Sequence, residues 1–220
     1  MSVDGMPNLN RRRRSAVPAL ASTFTPLSRR SLPKDTIALA RWLIGKRLVR
    51  RLDGALVAGR IVETEAYFAD DPASHSFGGQ TLRNRSMFAA RGHAYIYRIY
   101  GIWFCLNVSA GSVSEGAAVL IRALEPLDNV GLMTKRRAPG GAMEPYRLCR
   151  GPGNLTRALG ITLAENRLDL TSSRLRIEDR GLDAGRVSWG PRIGIRVAVK
   201  RPWRCFVPKN PCVSRGTRRA

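Results

Sequence analysis

Acidic residues are scarce in this 220-residue sequence: 16 Asp and Glu stand against 38 Lys and Arg, a formal net charge of +22. An excess of that size speaks to partners rather than to fold, and it points to a polyanion. Residues 1–33 hold six Arg and one Asp, a net of +5, so +17 resides on the remainder. Long apolar runs are missing too. No stretch approaches the ~18 uninterrupted apolar residues of a membrane-spanning helix, which excludes an integral helical membrane protein and leaves open a polybasic protein held at a membrane surface. Histidine occurs only as His75 and His93, and Cys105, Cys149, Cys205 and Cys212 form no Cys-x-x-Cys pair. Zinc ribbons and dithiol redox motifs are thereby excluded. Reduced thiols in a reducing compartment, a cytoplasmic location, and no metal or other cofactor are the expectations. What the chain does have is 44% apolar residues, enough to build a core at this length.

From Met1 to Pro33, Ser, Pro, Asn and Arg recur without a period, which reads as a disordered basic arm. Its Arg-rich, acid-poor character also resembles an organelle transit peptide. The folded unit is expected over residues 34–216, with a short basic tail at 217–220. TIALARWL (Thr36 to Leu43) places apolar residues at helical spacing ahead of a glycine, a short amphipathic helix. RLVRRLDGALVAGRIVETEAY then reads as two strands joined at Asp53-Gly54. AYIYRIYGIWFCLNVSA alternates and turns at Tyr100-Gly101, and Gly116 to Pro126 reads as a further strand. Residues 129–137 and 154–159 are more helical, while PRIGIRVAVKRPWRCFVPKNPCVS offers short strands broken by proline. Without a repeat or a shift in composition after residue 34, the expectation is an α+β fold. It is a single mixed domain with a curved, largely antiparallel β-sheet, a protruding β-hairpin and peripheral helices.

In Ile61 to Tyr67 the period of two puts Glu63, Glu65 and Tyr67 on one strand face. Alone, a solvated edge face explains them equally well. Around them, however, no acidic residue occurs between Pro72 and Ser114, while Arg83, Arg85, Arg91 and Arg98 are all present. Carboxylates on such a basic surface would repel a polyanion and are best rationalised if one performs a reaction on it, as a general base on water. Phosphodiester cleavage would call on a metal pair held by several of Glu63, Glu65, Asp70 and Asp71. N-glycosidic hydrolysis asks for a single carboxylate. Tyr95 and Tyr97 share a strand face and are by default core. Tyr100 at the turn is a candidate wedge, because an enzyme that extrudes a base from a duplex fills the vacated stack with a side chain.

ETEAY (Glu63 to Tyr67), ASHSFGGQTLRNRSMF around His75, YIYRIYGIWFCLNV, LIRALEP, GPGNL and the closing PRIG…PWRCFVP together resemble the alkyladenine, or 3-methyladenine, DNA glycosylase family over residues of about 35 to 215. The resemblance implies a monofunctional enzyme of base excision repair. It flips alkylated or deaminated purines from duplex DNA, cleaves the N-glycosidic bond with an activated water and leaves an abasic site. It implies Glu65 as the base that activates water, with Arg122 near that water. Tyr67, His75 and Tyr97 stack on the flipped purine, Asn107 excludes the exocyclic amino group of normal guanine, and Tyr100 intercalates. Electron-rich aromatic faces suit a cationic alkylpurine. None of the five lysines sits in a motif for Schiff-base chemistry.

Beside these, Arg83 and Arg85 are expected to contact phosphates, and Gly151 opens a helix whose free amides suit one. The partner expected is double-stranded DNA containing damaged purines, bound by a monomer. Against the enzyme stand a non-catalytic damage-sensing DNA-binding protein and a metal-dependent nuclease. The first would bind without forming product and the second would nick the backbone.

Overall fold

A computed structural model describes residues 26–216, apart from Asp53 and Ala184. Most of the basic arm and the tail at 217–220 lie outside the described residues. The packed chain starts ahead of the boundary expected at residue 34. Arg29–Ser31 form a 3-10 turn capped by Ser28, Leu32 is buried, and Arg29 reaches Asp169 at 2.6 Å. A charged residue inside an Arg-rich stretch hides such a contact, because its partner lies 140 positions away.

The first helix, α1 (Thr36–Leu43), begins where Asp35 accepts the Ala38 amide at 2.7 Å. Asp is among the preferred caps because its carboxylate satisfies a free amide at the positive end of the helix. Thr36, Leu39, Ala40 and Leu43 form its buried stripe, the spacing of one helical face turned to a sheet.

The sheet is antiparallel at every pairing and runs β3-β4-β5-β2-β1-β6, with strands β1 (Arg47–Leu52), β2 (Ala55–Tyr67), β3 (Ala94–Ile99), β4 (Trp103–Ala110), β5 (Ala117–Asp128) and β6 (Leu175–Glu178). Two short strands, β7 (Ser188–Gly190) and β8 (Arg204–Phe206), join it through β2. The helices α2 (Val130–Arg137), α3 (Pro145–Leu148) and α4 (Pro152–Leu159) lie between β5 and β6 in the chain. The result is a mixed α+β domain on a curved antiparallel sheet.

At thirteen residues β2 is the longest strand, and it is shared. One edge pairs along its length with β5; the other pairs with β1 over residues 55–60 and with β8 over residues 63–65. Register shifts against β5 fall between Ile61 and Glu63 and between Glu63 and Thr64, the irregularity by which a strand re-aims its side chains. Gly59 is required where β2 meets β5, since a Cβ there would lie 2.9 Å from the Leu124 Cβ and 3.0 Å from the Glu125 carbonyl. Thr64 donates to the Ala40 carbonyl at 2.9 Å, fixing α1 to the strand that carries the carboxylates.

Two sequence expectations change. Residues 191–203, read as short strands, contain none; two prolines and a glycine leave a loop, and pairing resumes only at Arg204. Strand β6 was not read from the sequence, because RLRIE within a polar stretch shows too short an alternation to stand out.

Candidate active site

The two carboxylates of β2 are buried: Glu63 and Glu65 are both 0% exposed. A buried carboxylate is stable only when paired and hydrogen-bonded, and both are. Glu63 accepts from Arg204 at 2.8 Å and from the Ser214 amide at 2.9 Å. Glu65 accepts the Ile193 amide on Oε1 at 2.7 Å and the Tyr67 hydroxyl on Oε2 at 2.9 Å. Arg122 of β5 lies between them, 3.3 Å from Glu65 and 3.6 Å from Glu63, and donates to the Ile193 carbonyl at 3.3 Å. The solvated-edge reading of this strand face is therefore overturned, because β8 pairs along the edge and the Arg204 side chain, the Ser214 amide and the 191–203 loop close on the carboxylates.

Desolvation raises the pKa of Glu65 above the ordinary carboxylate value, against the lowering effects of Arg122, the Ile193 amide and the Tyr67 hydroxyl. Burial also drives the Tyr67 phenol well above its usual value, followed by the adjacent Glu65 charge, so Tyr67 stays protonated and donates to the carboxylate. A carboxylate whose pKa is raised above the ordinary value is more basic than an exposed one.

Three partners of Glu65, namely Tyr67, Arg122 and Ile193, line a cavity of about 340 Å³ together with His75, Tyr97, Tyr100 and Asn107, with Tyr95 and Met87 among its other walls; Glu65 itself lies behind this lining and not in it. The volume is at the lower end for a small-molecule site. Tyr97 and His75 meet edge to face, with centroids 4.4 Å apart. Tyr95 bonds the His75 Nδ1 at 2.8 Å, and Asn107 donates to the Tyr95 carbonyl at 3.1 Å. Desolvation, then the nearby Arg83, lowers the pKa of His75, so it presents a neutral ring at physiological pH. Cys105 lies in the same wall, and burial pushes its thiol up to about 11.

The tip of the β3–β4 hairpin stands apart from this packing. Tyr100 is 89% exposed at φ 48°, followed by Gly101 at φ 73°. Positive φ at both central residues is the hairpin geometry that asparagine and glycine usually supply. A tyrosine held there is a strained choice of the kind found at functional sites. The loop from His75 to Arg85 is clasped by Asn84, which donates to the His75 and Gly79 carbonyls at 2.7 and 2.9 Å and accepts the Thr81 amide at 2.6 Å. Leu82, Arg83 and Arg85 project from it into solvent.

The sequence-predicted residues thus fall into two groups. Tyr67, His75, Tyr97, Tyr100, Asn107 and Arg122 share one cavity, whereas Glu65 is not among its lining residues and is tied to it through Tyr67, Arg122 and the Ile193 amide. Arg83, Arg85 and Gly151 lie outside its walls, Gly151 capping α4 directly before Pro152, which is part of them. Sequence reasoning missed Tyr95, whose place two residues before Tyr97 on the same strand face was the available signal. It also missed the Ile193 amide, a main-chain group with no residue signature. Asp71 pairs with Arg192. Among the described residues no three His, Cys, Asp or Glu side chains gather as metal ligands, so the acidic set on which the nuclease reading depended does not converge.

Comparison with known proteins agrees with this geometry. The family model described as methylpurine-DNA glycosylase matches residues 30–211. A relative from Mesorhizobium japonicum is 46% identical over 83% of this chain and 86% of its own length. One from Rhodopseudomonas palustris (strain BisB5) is 44% identical over 92% and 98%, and one from Methanoculleus marisnigri 44% identical over 83% and 95%. All three are provisionally named 3-methyladenine DNA glycosylases. With a buried carboxylate bonded to the walls of an aromatic cavity and this breadth of sequence identity, the chain belongs to the methylpurine-DNA glycosylase family.

Proposed function

We propose that this DNA glycosylase flips alkylated or deaminated purines out of duplex DNA and hydrolyses their N-glycosidic bond with a water activated by Glu65. The observation that carries the proposal is Glu65 itself, fully buried, with an amide, a phenol and a guanidinium on its oxygens that all come from residues lining the aromatic cavity. Tyr67 stacks on one side of the extruded base, and His75 and Tyr97 on the other. Asn107, anchored through its amide nitrogen to Tyr95, rejects the guanine 2-amino group.

Glu65 takes a proton from water as its oxygen bonds to C1′, and the electron pair of the breaking bond leaves with the base. An N-alkylated cationic purine becomes neutral on departure and needs no acid. Arg122 holds the carboxylates together and limits the rise in the Glu65 pKa. Tyr100 occupies the emptied stack, where a wedge offsets part of an unstacking cost of a few kcal/mol. Arg83, Arg85 and the amide of Gly151 contact backbone phosphates, which positions the duplex without reading its sequence. The product is an abasic site, released by a monomeric, cytoplasmic enzyme acting on the chromosome.

The test is release of free base from duplexes carrying a methylated purine or hypoxanthine, with chelator present, by the wild type and by Glu65→Gln. Release by the wild type that is lost in the variant, with lesion binding retained, is the expected result. Binding without release in both proteins would establish a damage sensor instead.

A further inference from the structure

The ring of Tyr67 carries a cation from outside the cavity wall. The Arg192 guanidinium carbon sits 4.6 Å from the ring centroid, while Tyr67 lines the cavity and Arg192 is not part of its lining. Its side chain and that of its partner Asp71 are both 0% exposed. Arg192 bonds Asp71 through both terminal nitrogens, one of these contacts at 3.1 Å, and donates to the Ala66 carbonyl at 3.0 Å. Trp203 lies on another side of the guanidinium, 5.1 Å away, and Arg201 approaches Asp71 at 3.7 Å. The cation is thus fixed by a planar set of acceptors that a flexible ammonium would not reproduce.

A ring with a cation on one face attracts a second cation on the other less strongly, since its π density is already polarised and the two charges repel through a weakly screening interior. We propose that the Asp71–Arg192 pair sets the charge preference of the purine pocket. By backing Tyr67 with a positive charge it weakens the hold on cationic alkylpurines relative to uncharged ones, so one stacking site serves both. This inference rests on the reading of the cavity as a damaged-purine pocket. A purely structural pair would account for the burial of Asp71 and Arg192 but gives no reason for the guanidinium to lie against the stacking ring. The peptide that follows Arg192 carries the Ile193 amide bonded to Glu65, so Arg192 is also a positioning residue, acting through its neighbours.

The experiment compares 7-methylguanine, a cationic lesion, with hypoxanthine, a neutral one, in the same duplex. Single-turnover release is measured for the wild type, for Asp71→Asn/Arg192→Gln, which removes both charges and keeps hydrogen-bonding groups, and for Arg192→Lys, which keeps the charge. The ratio of rates, cationic to neutral, should rise at least threefold in the uncharged pair and stay within twofold of wild type in Arg192→Lys, although the lysine slows both reactions. The apolar pair Asp71→Leu/Arg192→Met repeats the test should the amide pair not fold, because apolar replacement of a buried ion pair is often tolerated. Equal loss on both lesions, or a rise in the ratio with lysine as well, overturns the inference. Dissociation constants for the two duplexes in a Glu65→Gln background give the same ratio without turnover. A wild type that releases neither base therefore defeats the proposed function, while the charge preference is still read.

Discussion

The two halves of β2 differ in what holds them. Residues 55–61, of which 55–60 pair with β1, bury Val57 and Ile61 in the main core, bury Ala58 as well, and direct Arg60 outward to Glu125. Apolar burial of this kind stabilises by roughly 25 cal/mol per Å² removed from water and needs no particular partner atom. Residues 63–67, of which 63–65 pair with β8, bury two carboxylates whose desolvation costs several kcal/mol each. Their compensation comes from afar: Arg122, Ile193, Arg204 and Ser214, up to 151 positions along the chain. The first half is local and tolerant, the second assembled and exacting. Well-packed apolar residues at 63 and 65 would often be no less stable, and the proposed chemistry is what accounts for charges there.

Substitutions on either side of the boundary sharpen that contrast. Glu65→Gln has the largest expected effect, a loss of about 10²- to 10⁴-fold in base release, as for removal of a general base, with lesion affinity retained in a gel-shift assay. Ile61→Val, four residues away, should leave release unchanged. Next in size is Arg204→Met, which strips Glu63 of its closest cation. Breaking one side of a buried pair costs about 3–5 kcal/mol, and the nearby Arg122 places the expectation at the lower end of that range. Denaturant melts should show Glu63→Gln/Arg204→Met recovering part of the loss, and a double variant no better than the single would break the distinction between the halves. Ile61→Val itself should cost about 0.5–1.5 kcal/mol in the same melts, the usual range for a deleted core methyl group.

The same division explains what could be read from the sequence. Local pattern made α1 legible, since its stripe and its Asp35 cap lie within nine residues, and likewise the β1–β2 and β3–β4 hairpins. It also aligned Glu63, Glu65 and Tyr67 on one face. Nothing local says whether that face is wet, because the answer lies in β8 and in the loop at 191–203, whose arginines look in sequence like the rest of a basic surface. The candidate site residues were named through family resemblance, and the structure brings six of them to one cavity. The Ile193 amide and the guanidinium behind Tyr67 remained hidden. One is backbone, and the other is one arginine among many.

The smallest of the expected effects is a displacement along the pH axis, and its sign differs among the neighbours of Glu65. Under the proposed mechanism release requires the carboxylate, so activity should fall as pH drops through the Glu65 pKa. Because desolvation raises that pKa above the ordinary value, the acid limb of kcat/KM should lie above the range of an exposed glutamate. Arg122 lowers the pKa by its charge and Tyr67 lowers it by its hydrogen bond, whereas Glu63 raises it as a like charge. Arg122→Gln should therefore move the acid limb to higher pH, Tyr67→Phe should move it the same way by less, and Glu63→Gln should move it to lower pH. Profiles of kcat/KM report the free enzyme, so these shifts are read without the bound purine's own charge. If all three substitutions moved the limb together, the carboxylates of β2 would be titrating as a global property of the fold, and the separate roles assigned to Glu63 and Glu65 would collapse into one.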